Sequence, residues 1–231
     1  MVRRSHIREA RARRGGLSQF ETRRARRGAY RERVTNAINE PATVRRLVTP
    51  AAEALADLAS IFNDLQTVLR CCERLVRELA GRPDDVVVEG VWTTALISYA
   101  RCFTGGARGM GLTEDDVRSI ELPGEVLEWH KVLRQLRKHY ADPATNPRER
   151  YEVGAATSAD GRVGGIAITG VPQPPLDEVT VRQTGALAYR LSALVDRRIS
   201  EHQERVLAAA NALSPADLGR LELIEVSAGP A

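Results

Sequence analysis

Three features of the sequence predict a mainly α fold, a helical bundle of four or five helices with a β-hairpin inserted before the last long helix. Apolar residues recur at spacings of three and four through 50–79, 125–141 and 176–213. Residues 151–171 instead have strand-like composition around Asp160-Gly161. Capping residues and prolines stand where the helical stretches begin.

A chain of 231 residues, 43% hydrophobic and 28% charged, can build one substantial core. The longest uncharged apolar-rich run, Val91 to Ala100, is far short of the roughly 20 residues that cross a bilayer, so no membrane partner is expected. The N-terminal charges have no apolar run behind them, which speaks against a secretory signal and for a cytoplasmic address. Cys71, Cys72 and Cys102 have neither disulfide-framework nor metal-ligand spacing and read as reduced helix residues. The charge is uneven. Residues 1–34 hold 12 Arg against three Glu, a balance of +9 in a chain of +4 overall, which leaves −5 on the rest. This composition predicts a basic, flexible N-terminal arm over 1–34 that attracts RNA or another polyanion, with Arg23, Arg24, Arg26 and Arg27 as its densest cluster. A single helical domain over 35–231 follows.

In chain order, 34–48 reads as a short helical segment interrupted by Pro41. Thr49 and Pro50 then cap a helix of about 30 residues, ended by Gly81 and Pro83. Its seam is Leu55, Leu58, Phe62, Leu65, Leu69, Cys72, Val76 and Leu79; Ile61, Val68 and Leu75 widen it for two neighbours. Val86 to Phe103 is apolar on every side except Glu89 and Arg101, which predicts a helix in the middle of the bundle. Arg101 there needs a partner or a cleft. The loop 104–111, TGGARGMG, lacks the lysine and hydroxyl of a phosphate loop. Thr113 caps a short helix beginning Glu114-Asp115-Asp116. After the next helix, the hairpin at 151–171 must lie on the helices or pair with another hairpin, since a lone one is marginal. Pro172, Pro174 and Pro175 lead into a helix from Leu176 to Leu213, with His202 on its apolar stripe as a core histidine. Leu221 to Val226 reads as a strand or an extended packing segment.

The stretch 125–146, EVLEWHKVLRQLRKHYADPATN, concentrates the polar chemistry. Val126, Trp129, Leu133, Leu136 and Tyr140 form its core stripe, while His130, Arg134 and Arg137 follow one another at four and three on a flank. No two of the four histidines have zinc-hydrolase spacing, and no dinucleotide or nucleophile-elbow motif is present, so no metal site and no cofactor are expected.

Arg134-Gln-Leu-Arg-Lys-His139, an arginine and a histidine with four residues between them near the end of a bundle helix, resembles the HEPN superfamily, whose ribonuclease members carry Arg-x(4–6)-His. The resemblance covers about 90 residues, from Pro50 to Ala141. A second register, Leu136 to Gly154, resembles HEPN-like segments of the form Leu-Arg-Asp-Lys-His-x-Ala-His-Ser-x-Asn. There Arg137 takes the arginine's place, one residue is missing after it, and Asp142 stands where the second histidine belongs. Asn146 matches the asparagine if one residue is inserted. That departure implies an inactive or repurposed relative. The first register implies a metal-independent endoribonuclease, in a toxin or phage-defence role, with Arg134 and His139 catalytic. Arg137, Asp142, Asn146, His130 and Arg101 are its neighbours, and a homodimer brings two pairs into one cleft. A histidine can take the proton of an attacking 2′-hydroxyl and an arginine can hold the charge developing on the phosphoryl oxygens. The alternative is a non-catalytic helical scaffold that dimerises through the Leu55–Leu79 seam or the hairpin edge and binds nucleic acid or a protein partner.

Overall fold

The computed structural model describes residues 43–103, 108–144, 149–172 and 174–224. Among these are six helices and two antiparallel two-stranded sheets, so the fold is mainly α with a hairpin ahead of the last long helix. The proposed arm, Arg23, Arg24, Arg26, Arg27 and Asn146 lie outside the described residues. The stretch read as one domain, 35–231, divides into two compact units, Leu47–Pro215 and a smaller one whose described residues are 43–46 and 216–224.

In the larger unit, α1 (Pro50–Leu79) starts where Thr49 Oγ1 accepts from Ala52 N, with proline in its first turn. Its fully buried line is Leu58, Ile61, Leu65, Val68 and Leu75, each at most 1% exposed. Leu55, Phe62, Val76 and Leu79 are only half-buried, so the residues expected to widen the seam form its centre. α1 packs against two helices, α2 (Asp85–Arg101) and α5 (Glu178–Asn211), and this explains the rotation: a face shared by two neighbours centres between them. The seam is thereby used within the chain and is not open to a second copy.

Asp84 caps α2, its Oδ1 accepting from Val86 N and Val87 N. Burial begins only at Trp92 and takes in Ala95, Leu96, Ser98, Tyr99 and Ala100. Val86 is 81% and Ile97 46% exposed. The helix therefore does not run through the middle of the bundle along its whole length. Gly90 and Thr94 lie on the same face as these two residues, and that face is open. In α3 (Glu114–Ser119) Thr113 and Asp116 form a reciprocal capping box. Asp116 also receives a hydrogen bond from Arg198 of α5. Burial alone would raise the Asp116 carboxyl; the Arg198 and Thr113 hydrogen bonds outweigh it and hold it below its ordinary value.

α4 (Val126–Ala141) enters from Gly124, whose φ of +97° is a conformation glycine adopts without strain. Its Trp129 Nε1 donates to Thr184 Oγ1 on α5 at 3.3 Å. α5 is capped by Asp177, which accepts from Thr180 N, and buries Val181, Leu187, Ala188, Leu191, Val195 and Ile199. At Gly185 a Cβ would lie 3.4 Å from the Cβ of Cys72, so the backbone of α5 passes close over α1. Beyond Ile199 burial falls away; Leu207 is 61% exposed.

Between α4 and α5, β2 (Glu149–Thr157) and β3 (Val163–Pro172) form the hairpin, turning at Asp160-Gly161 with Gly161 at φ +81°. A register shift falls at Ala156/Thr157. Both strands are exposed almost throughout, so the hairpin does not lie on the helices.

In the smaller unit, β1 (Val44–Arg45) pairs with β4 (Leu223–Ile224), and α6 (Pro215–Arg220) precedes the latter. The described part of 34–48 is thus not helical. Arg45 donates to the carbonyls of Gly219 and Leu221 at 2.8 and 2.6 Å, and Arg46 N to Glu222 O, contacts available only to an extended segment beside the tail.

Leu65→Ala is expected to lower unfolding free energy in urea by about 2–5 kcal/mol, through lost burial and a residual cavity. Leu207→Ala should change it by no more than about 0.5 kcal/mol. Equal effects would contradict the placement of the core.

Candidate functional site

The residues of α4 that look alike in sequence occupy different environments. His130 is wholly buried, not part of a solvated flank. Its Nδ1 shares a 2.8 Å hydrogen bond with the Tyr99 hydroxyl, and its ring lies 4.4 Å from that of Phe103. No described group meets Nε2. The neutral pair already holds two hydrogens for one hydrogen bond, so a third proton would find no acceptor. Burial, and secondarily the positive charge of Arg134, depress His130 to about 4. It is a neutral core histidine that joins α4 to α2. The sequence stripe was therefore offset: its centre is His130 and Leu133, with Val126, Trp129, Leu136 and Tyr140 half-buried around it.

Arg134, half-buried, has no hydrogen-bond or ion-pair partner among the described residues; its charge is felt by Tyr99 and His130. His139 is half-buried too, and Gln135 Nε2 donates to its Nε2 at 3.4 Å. Five positions along an α-helix turn about 140°, so Arg134 and His139 of one chain point apart. Arg137 and Lys138 are exposed. Asp142 caps the helix end, its Oδ1 accepting from Ala144 N at 2.9 Å.

Arg101 belongs elsewhere. Its Nε donates to Asp64 Oδ2 at 3.2 Å, and Arg108 reaches the same oxygen at 2.9 Å and Ser60 Oγ at 2.6 Å. Asp57 Oδ2 accepts from Met110 N at 3.0 Å. The described end of the glycine-rich loop is thus fastened to α1 by two carboxylates, one of them neutralised by two guanidiniums. Asp57, Ser60 and Asp64 were not singled out in the sequence; their three-and-four spacing beside the seam is the signal that could have marked them.

Cys72 and Cys102 are buried thiols, each pushed up to about 12 chiefly by burial, and Cys102 Sγ donates to Ser98 O. His202 is half-buried, but its Nδ1 meets no described partner, unlike a satisfied core histidine. A pocket at the junction of α1, α2 and α4 is lined by Trp92, Tyr140, Pro175 and Leu176, with Asp85 and Glu89 at its side; neither Arg134 nor His139 lines it. Among the described residues no three His, Cys, Asp or Glu gather as a metal set, and no helix is long and apolar enough to cross a membrane.

His130 makes stability pH-dependent. The unfolded histidine binds a proton below its ordinary 6.5, whereas the folded one stays neutral to about 4. Stability should fall as pH drops through that window, by up to on the order of 3 kcal/mol, with this contribution levelling off below it. His130→Gln should flatten the profile and His139→Gln should keep the slope, as read by urea denaturation; a wild-type profile level across the window would count against the buried neutral imidazole. Comparison with family models, curated proteins and solved structures finds no match to this chain.

Proposed function

We propose that this chain is a non-catalytic, cytoplasmic, homodimeric helical protein that binds RNA through its basic segment. The observation that carries the reading is the partition of charge, +9 in residues 1–34 against −5 in the remainder. Twelve arginines in 34 residues neutralise phosphates and release condensed counterions, giving affinity without base readout. A single copy offers no assembled cleavage site, since Arg134 and His139 diverge on α4 and the other histidine of the helix, His130, is sealed in the core; cleavage would need residues of two copies.

Replacing Arg23, Arg24, Arg26 and Arg27 together by Ala should weaken single-stranded RNA binding and reduce the slope of log affinity against log salt by about 2–3, at about 0.7 per lost phosphate contact. Fluorescence anisotropy across a salt series reads both quantities. An unchanged slope would refute the assignment of those arginines.

A second reading, a HEPN-like metal-independent endoribonuclease in a toxin or phage-defence role, is supported by Arg134 having no counter-ion among the described residues. In it a histidine from one copy takes the 2′-hydroxyl proton as that oxygen attacks phosphorus to form a 2′,3′-cyclic phosphate, the 5′-oxygen departs with a proton from water, and an arginine of the other copy holds the phosphoryl charge. Incubation with RNA in chelator, beside Arg134→Ala and His139→Ala, separates the two readings. Cleavage lost in both variants supports the nuclease; no cleavage, or equal cleavage in all three, sinks it.

A further inference from the structure

The hairpin has two unlike faces. Cross-strand pairing of Tyr151 with Gly170, Val153 with Ile168, Ala155 with Ile166 and Thr157 with Val163 puts these residues on one side, edged by the Glu149–Pro172 pair, where Glu149 accepts from the Tyr151 hydroxyl. The other side carries Arg150 and Glu152, ion-paired at 3.0 Å, with Gly154, Ala156, Gly165, Ala167, Thr169 and one large apolar residue, Val171, 54% exposed. On the first side Tyr151, Val153, Val163, Ile166 and Ile168 are 58, 70, 65, 70 and 71% exposed. This is an apolar face on a ribbon whose pairing satisfies the inner backbone groups but leaves the side chains in water.

We infer that this face is the dimer interface, covered by the same face of a second copy, the two ribbons stacking into a four-stranded sandwich. Its area fits. Five side chains so exposed present on the order of 600 Å² of apolar surface per copy. A standard interface buries about 800 Å² per partner including its polar rim. The chain's own remaining segments are poor covers: residues 1–42 scatter their few large apolar side chains among 12 arginines, and 225–231 offers only Val226. The face also complements itself. Tyr151 is bulky and lies against Gly170, where a Cβ would stand 3.4 Å from its ring. Four positions along β2, two rows on the same face, is the small Ala155, with Val153 and Ile168 between the two rows. A two-fold axis crossing the Val153–Ile168 row between the faces sets Tyr151 of each copy over Ala155 of the other, bulk against space. Sheets packed this way lie about 10 Å apart, the distance that interdigitated Val and Ile side chains fill. The inference rests on the homodimer of the proposed function and not on its RNA binding.

Analytical ultracentrifugation of the full chain tests the interface. Wild type should sediment as a dimer at micromolar concentration, and Thr169→Asp, on the opposite face, should match it. Ile168→Asp should raise the dissociation constant at least about 100-fold, because it leaves a carboxylate unpaired in the interface. Circular dichroism should show unchanged helix content. Since the aspartate could also loosen the hairpin itself, two cysteine variants provide a separate reading. Val153→Cys, next to the axis, should oxidise to a covalent dimer, and Glu152→Cys should not. A monomeric wild type, a dimer that survives Ile168→Asp, or cross-linking at 152 in preference to 153 would overturn the inference. A monomeric wild type would also remove the homodimer of the functional proposal, whereas a dimer that survives Ile168→Asp overturns the interface alone; RNA binding is read by none of these measurements.

Discussion

Burial of the α1 face is the interaction on which the rest of the larger unit depends. Leu58, Ile61, Leu65, Val68 and Leu75 are within 1% of complete burial, between α2 and α5. Full burial of each such side chain contributes about 1.5–3 kcal/mol, an upper bound given residual burial in the unfolded chain. The flank of the same helix is polar. Asp57, Ser60 and Asp64 hold Met110 N, Arg108 and Arg101. Asp64 is only 8% exposed, and a carboxylate so placed is tolerated because two guanidiniums meet it. One helix thus organises the core and fastens the loop that follows α2.

That arrangement decides the chemistry open to α4. The helix must present its apolar side to α2, and Tyr99 waits there with a hydroxyl that burial raises above its ordinary value. His130 supplies the one polar group that can share a hydrogen bond at that depth. With Arg134 one turn away, a second positive charge on the imidazole is disfavoured by both desolvation and repulsion. The histidine nearest the arginine is therefore committed to packing, while His139, the one with access to water, sits on another side of the cylinder. The divergence follows from the geometry of an α-helix, and only a second copy could bring an Arg134 and a His139 together.

What was legible in the sequence was local. Thr49-Pro50 and Thr113 cap their helices because capping is decided within four residues; Asp177, by the same rule, starts the last long helix two residues beyond the Leu176 expected. Asp160-Gly161 marked the hairpin turn for the same reason. Partners distant in sequence were not legible. The burial of His130 rests on Tyr99, 31 residues away, and the role of Arg101 on Asp64, 37 away. The extended form of Val44–Arg45 depends on carbonyls more than 170 residues downstream. The divergence of Arg134 and His139 follows from their five-residue spacing alone, whereas what surrounds each of them does not.

The hairpin stands apart from this economy. Isolated two-stranded ribbons are marginal in water, and this one rests almost none of its side chains on the helical core. Its sequence nevertheless gathers Val153, Ile166 and Ile168 on one side, while Arg150, Glu152 and Thr169 share the other with Ala167 and Val171, a bias a sheet has when one side is to be dry. Within a single copy that segregation has no energetic return, since both sides meet solvent. Stacked on its own equivalent, the same pattern removes the apolar side from water and leaves the Arg150–Glu152 pair outside. A face of this composition is physical grounds for a covering partner, and the match of Tyr151 to Ala155 is the reason a second copy is the partner proposed.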